Sequence, residues 1–469
     1  MNILIIEDEE DFVNEIKSRV SSMCRAPSYV VASTKSSAIE HITNDFFDLI
    51  FLDLKIPSEN GSMDSSPEHG RSILDIAVAV APGTPIFILT GSSAEEFLPD
   101  LLQMGHQVDI WGQNQPLPVI NLQKKHRLNN LEPAIAPYIH GCDAIFDIEL
   151  QFNEELSTSE IRLIRIFTRS VGGVFCKISR IGGGLSGASV FKLLVTDSNG
   201  SKIHDSVAKI GSPAAIHDEV DRYDRLVVRL EASATPRKLS LVNHGAKNIS
   251  GVFYGLANAS ESTAFSFMSG GSGQVINNVA ASMNNWHSAA VQRRLTVADI
   301  RRCFISDEKF LSIRGHIKHD WIENFERSIV QVNWGCTHSD LHGYNILVSS
   351  NFIPVLIDYG DVGECACSRD PITLELSSLF HVQGPFVNSG WPSEKTASNW
   401  GKKQFIDETC PAPEFFLSCL AWAESVAVGK RERAAVAYGY LARQFKYEDC
   451  DHRLANMLIA GAKNLFDDA

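Results

Sequence analysis

The sequence predicts two folded modules in series: an α/β doubly wound parallel sheet, then an α+β module. Three observations predict them. The chain has 469 residues, and a single hydrophobic core seldom grows past about 250–300 residues. In the first third, short aliphatic runs alternate with amphipathic segments, the pattern of a parallel sheet with right-handed crossovers. Much later, Asp340, Asn345 and Asp358 sit on loops around two short aliphatic runs, Ile346–Val348 and Pro354–Ile357.

Taken in order, residues 3–6 form an aliphatic run that stops at the acidic stretch Glu7–Asp11, and a helical pattern follows through Phe12, Val13, Ile16 and Val20. Tyr29–Ala32 reads as a second strand and residues 36–44 as a second helix. Phe47–Leu54 reads as a fully buried strand ending at Asp53, and Pro85–Gly91 as a fourth strand with Thr90 at its end. The carboxyl edge of such a sheet gathers Glu7, Asp8, Asp53 and Thr90, where open α/β sheets place their sites. The polar insertion Ser58–His69 reads as a lid, a partner surface or a plain loop. Residues 141–157 read as a linker. Ser157-Thr158-Ser159-Glu160 supplies helix-capping chemistry before Ile161, Leu163 and Ile164, which predicts a helix over about 158–170, placed to couple the two modules.

The acidic edge resembles a response-regulator receiver domain, flavodoxin-like in fold, over about residues 1–140. The resemblance implies that Asp53 accepts a phosphoryl group, that Glu7 and Asp8 hold Mg²⁺ with Asp53, and that Thr90 is the hydroxyl that moves toward the phosphoryl group. It also requires a lysine at the end of a fifth strand. That residue is placed at Lys124, in Val119–Lys124, with Arg127–Leu131 continuing as a fifth helix. Lys125 stands where the family has a proline, and the spacing from Thr90 is long, so Gln107–Pro118 is expected to be an inserted loop. An alignment that puts Gln113 or Gln115 at the site leaves the lysine missing.

In the second module, Ile178–Leu193 reads as strand, glycine-rich turn and strand, and its glycines let backbone N–H groups approach phosphates. The next strand, Ser206–Ile210, buries Lys209, which requires a partner; Glu219 in the helical segment 214–230 is the first candidate and Asp218 the second. The turn Ser349–Asn351 predicts a hairpin whose mouth brings Asn345 and Asp358 side by side. Such oxygen donors suit Mg²⁺, which binds through one or two carboxylates plus substrate phosphates. Asp340 is then left to take a proton from an incoming hydroxyl.

His338-Ser339-Asp340 with Asn345, followed by Asp358-Tyr359-Gly360, resembles the catalytic and metal-binding pattern of the protein-kinase-like fold. Asp340-Leu341-His342 with Asn345 is more similar to the aminoglycoside and choline phosphotransferase branch. The resemblance covers about residues 158–469, a bilobal domain with an N-lobe over about 158–268 and a C-lobe over about 274–469. It implies that Gly182, Gly183, Gly184, Ser186 and Gly187 cover the phosphates of ATP, and that Lys209 contacts the α- and β-phosphates while Glu219 holds it. Adenine is placed near Phe267 and Met268. Asp340 accepts or steers the acceptor proton, and Asn345 and Asp358 hold Mg²⁺. His338 supports the loop; His342 orients Asp340 or lines the acceptor site; Asp361 touches a second metal or, the favoured reading, caps a loop.

Composition narrows the partners. A hydrophobic share of 44% and a charged share of 21% describe a globular chain, and a net charge of −14 argues against nucleic acid or an anionic membrane as the main partner. No run of about 18 apolar residues marks a membrane span, and the start lacks a signal-peptide pattern. The scattered cysteines have no zinc-site spacing, which points to free thiols in a reducing cytoplasm. The sequence therefore predicts a cytoplasmic, bacterial, ATP- and Mg²⁺-dependent phosphotransferase controlled by phosphorylation at Asp53. Its expected partners are an upstream histidine kinase or other phosphodonor and an unknown hydroxyl acceptor, and a homodimer is compatible with it. Two alternatives stand beside this one: a non-catalytic nucleotide-binding scaffold in a signalling or defence complex, and a protein kinase acting on a partner. The short Gly363–Pro371 run, without an extended activation segment, argues against the latter.

Overall fold

The computed structural model describes residues 1–91, 107–183, 188–256 and 262–469. Its chain divides into two compact units, Met1–Ile216 with Lys238–Gly255, and His217–Arg237 with Leu256–Ala469. Gly184, Ser186 and Gly187 of the expected phosphate loop lie outside the described residues. Among the described residues, no helix is long and apolar enough to cross a membrane. The ten cysteines form no disulfide.

The first unit begins with a parallel sheet of β1 (Asn2–Ile6), β2 (Ser28–Ala32), β3 (Leu49–Asp53), β4 (Ile86–Thr90) and β5 (Ile120–Lys124), in the order β2-β1-β3-β4-β5. This is the flavodoxin-like order of doubly wound sheets. Every residue of β3 and β4 is buried, because helices cover both faces, as all-parallel sheets require. On one face α1 (Glu10–Ser21) and α4 (Leu131–Phe146) contribute Val13, Ile16, Ile135 and Ile139 to the core. On the other, α2 (Lys35–Asn44) and α3 (Pro67–Val80) contribute Ala38, Ile42, Ile73 and Leu74. The stretch 107–118, expected as an inserted loop, forms a small ribbon in which Gln107–Val108 pairs antiparallel with Leu117–Pro118. At its turn Ile110 and Trp111 are buried in the core.

Residues 141–157 are not a structureless linker. α4 continues through them to Phe146 because Ile139, Cys142 and Ile145 keep an apolar face buried. β6 (Glu149–Gln151) then pairs parallel with β7 (Phe175–Gly183). β6 is thus the edge strand of a six-stranded sheet that continues with β8 (Ser189–Thr196), β9 (Lys202–Gly211), β10 (Arg237–Val242) and β11 (Ser250–Gly255), in the order β10-β11-β9-β8-β7-β6. Between the two sheets lies α5 (Thr158–Ser170), started by a capping box of Ser157 and Glu160. Its Phe167 stacks on Phe253 of β11 with ring centroids 4.1 Å apart. The opposite side of α5 engages the parallel sheet: buried Arg162 is ion-paired with buried Asp48, just ahead of β3, and Arg169 donates to the carbonyls of Trp111 and Gly141 at 3.2 and 3.1 Å. The two sheets therefore share one apolar core. The contact is tight: at Gly83 (φ +82°) an added Cβ would lie 2.4 Å from Cβ of His244.

The second unit holds two three-stranded sheets and a helical body. β12 (Val291–Thr296), β13 (Ile329–Thr337) and β16 (Gly363–Ala366) form one sheet, and β14 (Ile346–Val348) and β15 (Pro354–Leu356) form the expected hairpin in the other. Around them stand α7 (Ser272–Ser282), α8 (Arg369–Phe380), α9 (Pro413–Val426), α10 (Lys430–Gln444) and α11 (His452–Asp467). α8 is buried from Arg369 to Leu379, so its polar residues must find partners inside the fold. Glu375 accepts a hydrogen bond from Trp400 Nε1 at 2.9 Å. Burial pushes its carboxyl up to about 7, against the Trp400 bond and the charge of Arg433.

Two stability tests follow from this packing. Asp48→Ala leaves the Arg162 guanidinium buried and unpaired, and is expected to cost about 3–5 kcal/mol in denaturant unfolding; a loss below about 1 kcal/mol would show that the pair does not tie α5 to the parallel sheet. At Glu375 the folded state binds the proton more tightly than the unfolded chain does. Its contribution is full below the ordinary value of 4.5 and is lost as pH rises through about 7. Glu375→Gln removes that loss, so its stability relative to the native chain should climb across this window by on the order of 3 kcal/mol and then level off. A flat difference from pH 4.5 to 8, measured by urea titration, would contradict this assignment.

Candidate functional site

Two clusters hold the residues singled out in the sequence. In the first unit, Asp53 ends β3 and Glu7 follows β1, both buried, with exposed Asp8 beside them. One oxygen from each of these three carboxylates lies within 4.8 Å of the others. A set of hard oxygen donors at that spacing fits Mg²⁺. Thr90 is buried at the end of β4, one register step beyond Leu89, the partner of Asp53.

The lysine at this edge is Lys125 and not Lys124. Lys125 Nζ lies 2.9 Å from Asp53 Oδ2 and 2.7 Å from Glu7 Oε2, and 4.6 Å from the centroid of the Phe12 ring. Strand geometry explains the offset. β5 runs parallel to β4 with Leu89 opposite Gln123, so Gln123 is level with Asp53 and Lys124 lies one step beyond. Successive side chains alternate between faces, which turns Lys124 to the other side and returns Lys125 to the face of Asp53. Burial, reinforced by the Asp53 charge, pushes Glu7 up to about 7 despite its bond to Lys125. Burial also raises Asp53. Burial opposes the charge on Lys125, but its bonds to Glu7 and Asp53 outweigh that and raise it.

The second cluster is built on the loop from β13 to β14. Asn345 and Asp358 flank the β14–β15 hairpin, and the Ile357 N–H donates to the Asn345 carbonyl at 3.0 Å, which closes the mouth of the hairpin. Asn345 Nδ2 donates to the Asp340 carbonyl at 2.9 Å, so its amide oxygen is the end available to a cation. An amide oxygen and a carboxylate at the hairpin mouth fit Mg²⁺ by donor chemistry. Ser339 and Asp358 have φ of +69° and +64°, conformations that non-glycine residues hold only where the surroundings impose them. Gly343 is required for a different reason: a Cβ there would lie 2.3 Å from Cδ1 of Phe265.

What imposes this loop conformation was not anticipated from the sequence. Asp370, fully buried in the first turn of α8, accepts from the backbone N–H groups of His338 and Ser339, each at 3.0 Å. Its neighbour Arg369 donates from Nε to the Ser339 carbonyl at 3.0 Å and from Nη1 to the Cys303 carbonyl at 3.0 Å. His338 is buried with Nε2 3.0 Å from the Ile357 carbonyl, tying the loop to the hairpin. The one sequence signal for these residues is Asp370-Pro371, a helix-start pattern. Asp340 itself is half-buried. Arg443 Nη1 donates to its Oδ1 at 3.3 Å, and His342 Nε2 lies 3.9 Å from its Oδ2. Burial disfavours the Asp340 charge, but Arg443 and the nearby histidines more than compensate and hold its carboxyl below the ordinary range. Burial drives His342 down to about 4 and lowers His381, whose ring lies 4.4 Å from that of His342.

The remaining candidates lie on other elements. Lys209 is buried on β9 in the first unit, and Gly182 and Gly183 end β7. Glu219 is buried on α6 (Pro213–Arg225), in the part that belongs to the second unit. Met268 is half-buried in the second unit, just after the 3₁₀ turn Ala264–Phe267.

No family model matches the chain, and no curated protein matches it. Solved structures to which it is similar include a CheY-like response regulator receiver domain protein from Methanospirillum hungatei, with 21% identity over 30% of this chain and 96% of that one, TM-score 0.23. Another is aminoglycoside phosphotransferase APH(3'')-Id from Streptomyces rimosus, with 17% identity over 57% and 97% of the two chains and TM-score 0.29. A third is APH(2'')-IIa in its ternary complex with streptomycin and ATP, with 10% identity over 63% and 92% and TM-score 0.37.

Asp370→Ala removes both acceptors and leaves two buried N–H groups unsatisfied, at a cost of about 1–3 kcal/mol each. The expected outcome is a destabilised protein whose His338 and Ser339 amides exchange with solvent faster than those of β13. Unchanged exchange at these two amides would show that another group holds the loop.

Proposed function

We propose that this protein is a receiver-regulated, ATP- and Mg²⁺-dependent phosphotransferase that moves the γ-phosphoryl group of ATP to a hydroxyl acceptor. The observation that carries this reading is the Asp340 loop. Its buried supports, Asp370, Arg369 and His338, hold an ionised carboxylate beside the hairpin mouth where Asn345 and Asp358 present oxygen donors. Phosphoryl transfer asks little covalent chemistry of a protein and depends on positioning and electrostatics. A loop held in strained φ by buried partners supplies that positioning.

In this reading, Asp340 receives or steers the acceptor hydroxyl, with its charge maintained by Arg443. Asn345 and Asp358 would hold Mg²⁺, which when bound would supply positive charge to the nucleotide phosphates. Lys209 is assigned to the α- and β-phosphates, supported by its burial on β9 and by motif order. Control is assigned to the parallel sheet of the first unit. Asp53, Glu7, Asp8 and Lys125 have the composition of a phospho-accepting site. A phosphoryl group on Asp53 would compete with Glu7 for Lys125, and α4 follows Lys125 in the chain and packs into the core shared with α5. A histidine kinase or a small phosphodonor would act upstream.

ATP consumption by the purified protein with Mg²⁺, native beside Asp340→Asn, with and without acetyl phosphate, tests both parts. Loss of about 10²-fold or more in kcat in the variant is expected for a group that acts in the transition state, together with a rate change on adding the donor that Asp53→Ala abolishes. ATP binding without turnover in every arm would instead favour a nucleotide-binding scaffold, and turnover indifferent to the donor would remove the regulatory role of Asp53.

A further inference from the structure

Three elements converge on the carboxylate of Asp340, and one of them plays no part in the motifs read from the sequence. Arg443 stands in the last turn of α10 and donates to Asp340 Oδ1 at 3.3 Å, with side chains 18% and 30% exposed. The pair is sheltered enough to escape most solvent screening. Oδ2 faces His342 at 3.9 Å, beyond hydrogen-bond reach. Among the described residues, Arg443 is therefore the cation within hydrogen-bond reach of this carboxylate. A guanidinium has five donors in a rigid plane.

We infer that Arg443 is a positioning residue that fixes the Asp340 carboxylate through Oδ1 and leaves Oδ2 to receive the acceptor hydroxyl. The inference rests on the phosphotransferase reading above. In the reaction the hydroxyl oxygen forms the new bond to the γ-phosphorus with its own electron pair. The bond from that phosphorus to the β–γ bridging oxygen breaks, and ADP leaves with the oxygen and the pair. The hydroxyl proton passes to Oδ2 and then to solvent, so each turnover releases one proton. With Arg443 absent, the carboxylate rotates freely and either oxygen turns away from the hydroxyl, a misplacement that acts on the chemical step and not on nucleotide binding.

The test compares the full-length native protein with Arg443→Gln and Arg443→Lys, following ADP formation with Mg²⁺ and with water or glycerol as acceptor, alongside hydrogen exchange across the chain. Arg443→Gln should lower kcat about tenfold or more while KM for ATP stays within about twofold. Arg443→Lys, which keeps the charge but loses the rigid fork, should recover part of the loss. Exchange in Arg443→Gln should quicken over Leu341–Asn345 and stay unchanged in β13. Native kcat in Arg443→Gln overturns the inference. So does a loss that Arg443→Lys does not relieve and that comes with faster exchange throughout α10, since that marks a merely structural role. If the native protein consumes no ATP, the phosphotransferase reading fails, and the oxygen assignment falls with it; exchange over Leu341–Asn345 then shows separately whether Arg443 grips the loop.

Discussion

The double hydrogen bond from the His338 and Ser339 amides to the buried Asp370 carboxylate is the constraint on which the candidate site depends. A carboxylate with no exposure is costly to bury unless it is satisfied, and two consecutive N–H groups satisfy it only when the chain turns sharply, as it does at Ser339 with φ of +69°. That turn sets the direction of Asp340, the next residue. Arg369 reinforces it from the same helix turn, taking the Ser339 carbonyl while its guanidinium lies 4.3 Å from the centroid of the Phe304 ring. Strain in the loop and charge in the helix stabilise each other, and neither would persist alone.

The first unit shows the opposite economy, a large apolar interface pinned by few polar groups. The acidic residues lie at the carboxyl edge of the parallel sheet, whereas Asp48 and Gly83, which meet Arg162 and His244, precede strands at its amino edge. The six-stranded sheet is thus joined to the end of the parallel sheet remote from Asp53. Among the described residues, the strands themselves and the Lys125–α4 segment connect Asp53 with the six-stranded sheet. Both routes are packed, and α4 ends with Phe146 beneath Arg162 and Arg165, 5.3 and 5.4 Å from its ring centroid.

Much of the local structure was legible in the residues. The aliphatic runs that became β1, β3 and β4 could be read because both faces of the sheet are covered, which leaves long uninterrupted apolar stretches. The Ser157–Glu160 pattern marked the start of α5, since a capping box is a local hydrogen-bond pattern. The β14–β15 hairpin was marked by a polar turn between β-branched runs. The region 141–157 was harder. Its helix end and edge strand are stabilised by partners distant in sequence, and its acidic surface residues gave it the look of a linker.

By itself, the sequence determined the central strands of the parallel sheet, the start of α5 and the β14–β15 hairpin, and that carboxylates cluster at strand ends, because these follow from short-range periodicity. Only the tertiary structure decided which of two adjacent lysines reaches Asp53: the parallel register of β4 and β5 puts Lys124 on one face and Lys125 on the other. Only the tertiary structure brought Asp370 and Arg443 to the Asp340 loop. Their helices are placed by burial of apolar faces, and no spacing along the chain encodes where two packed helices meet.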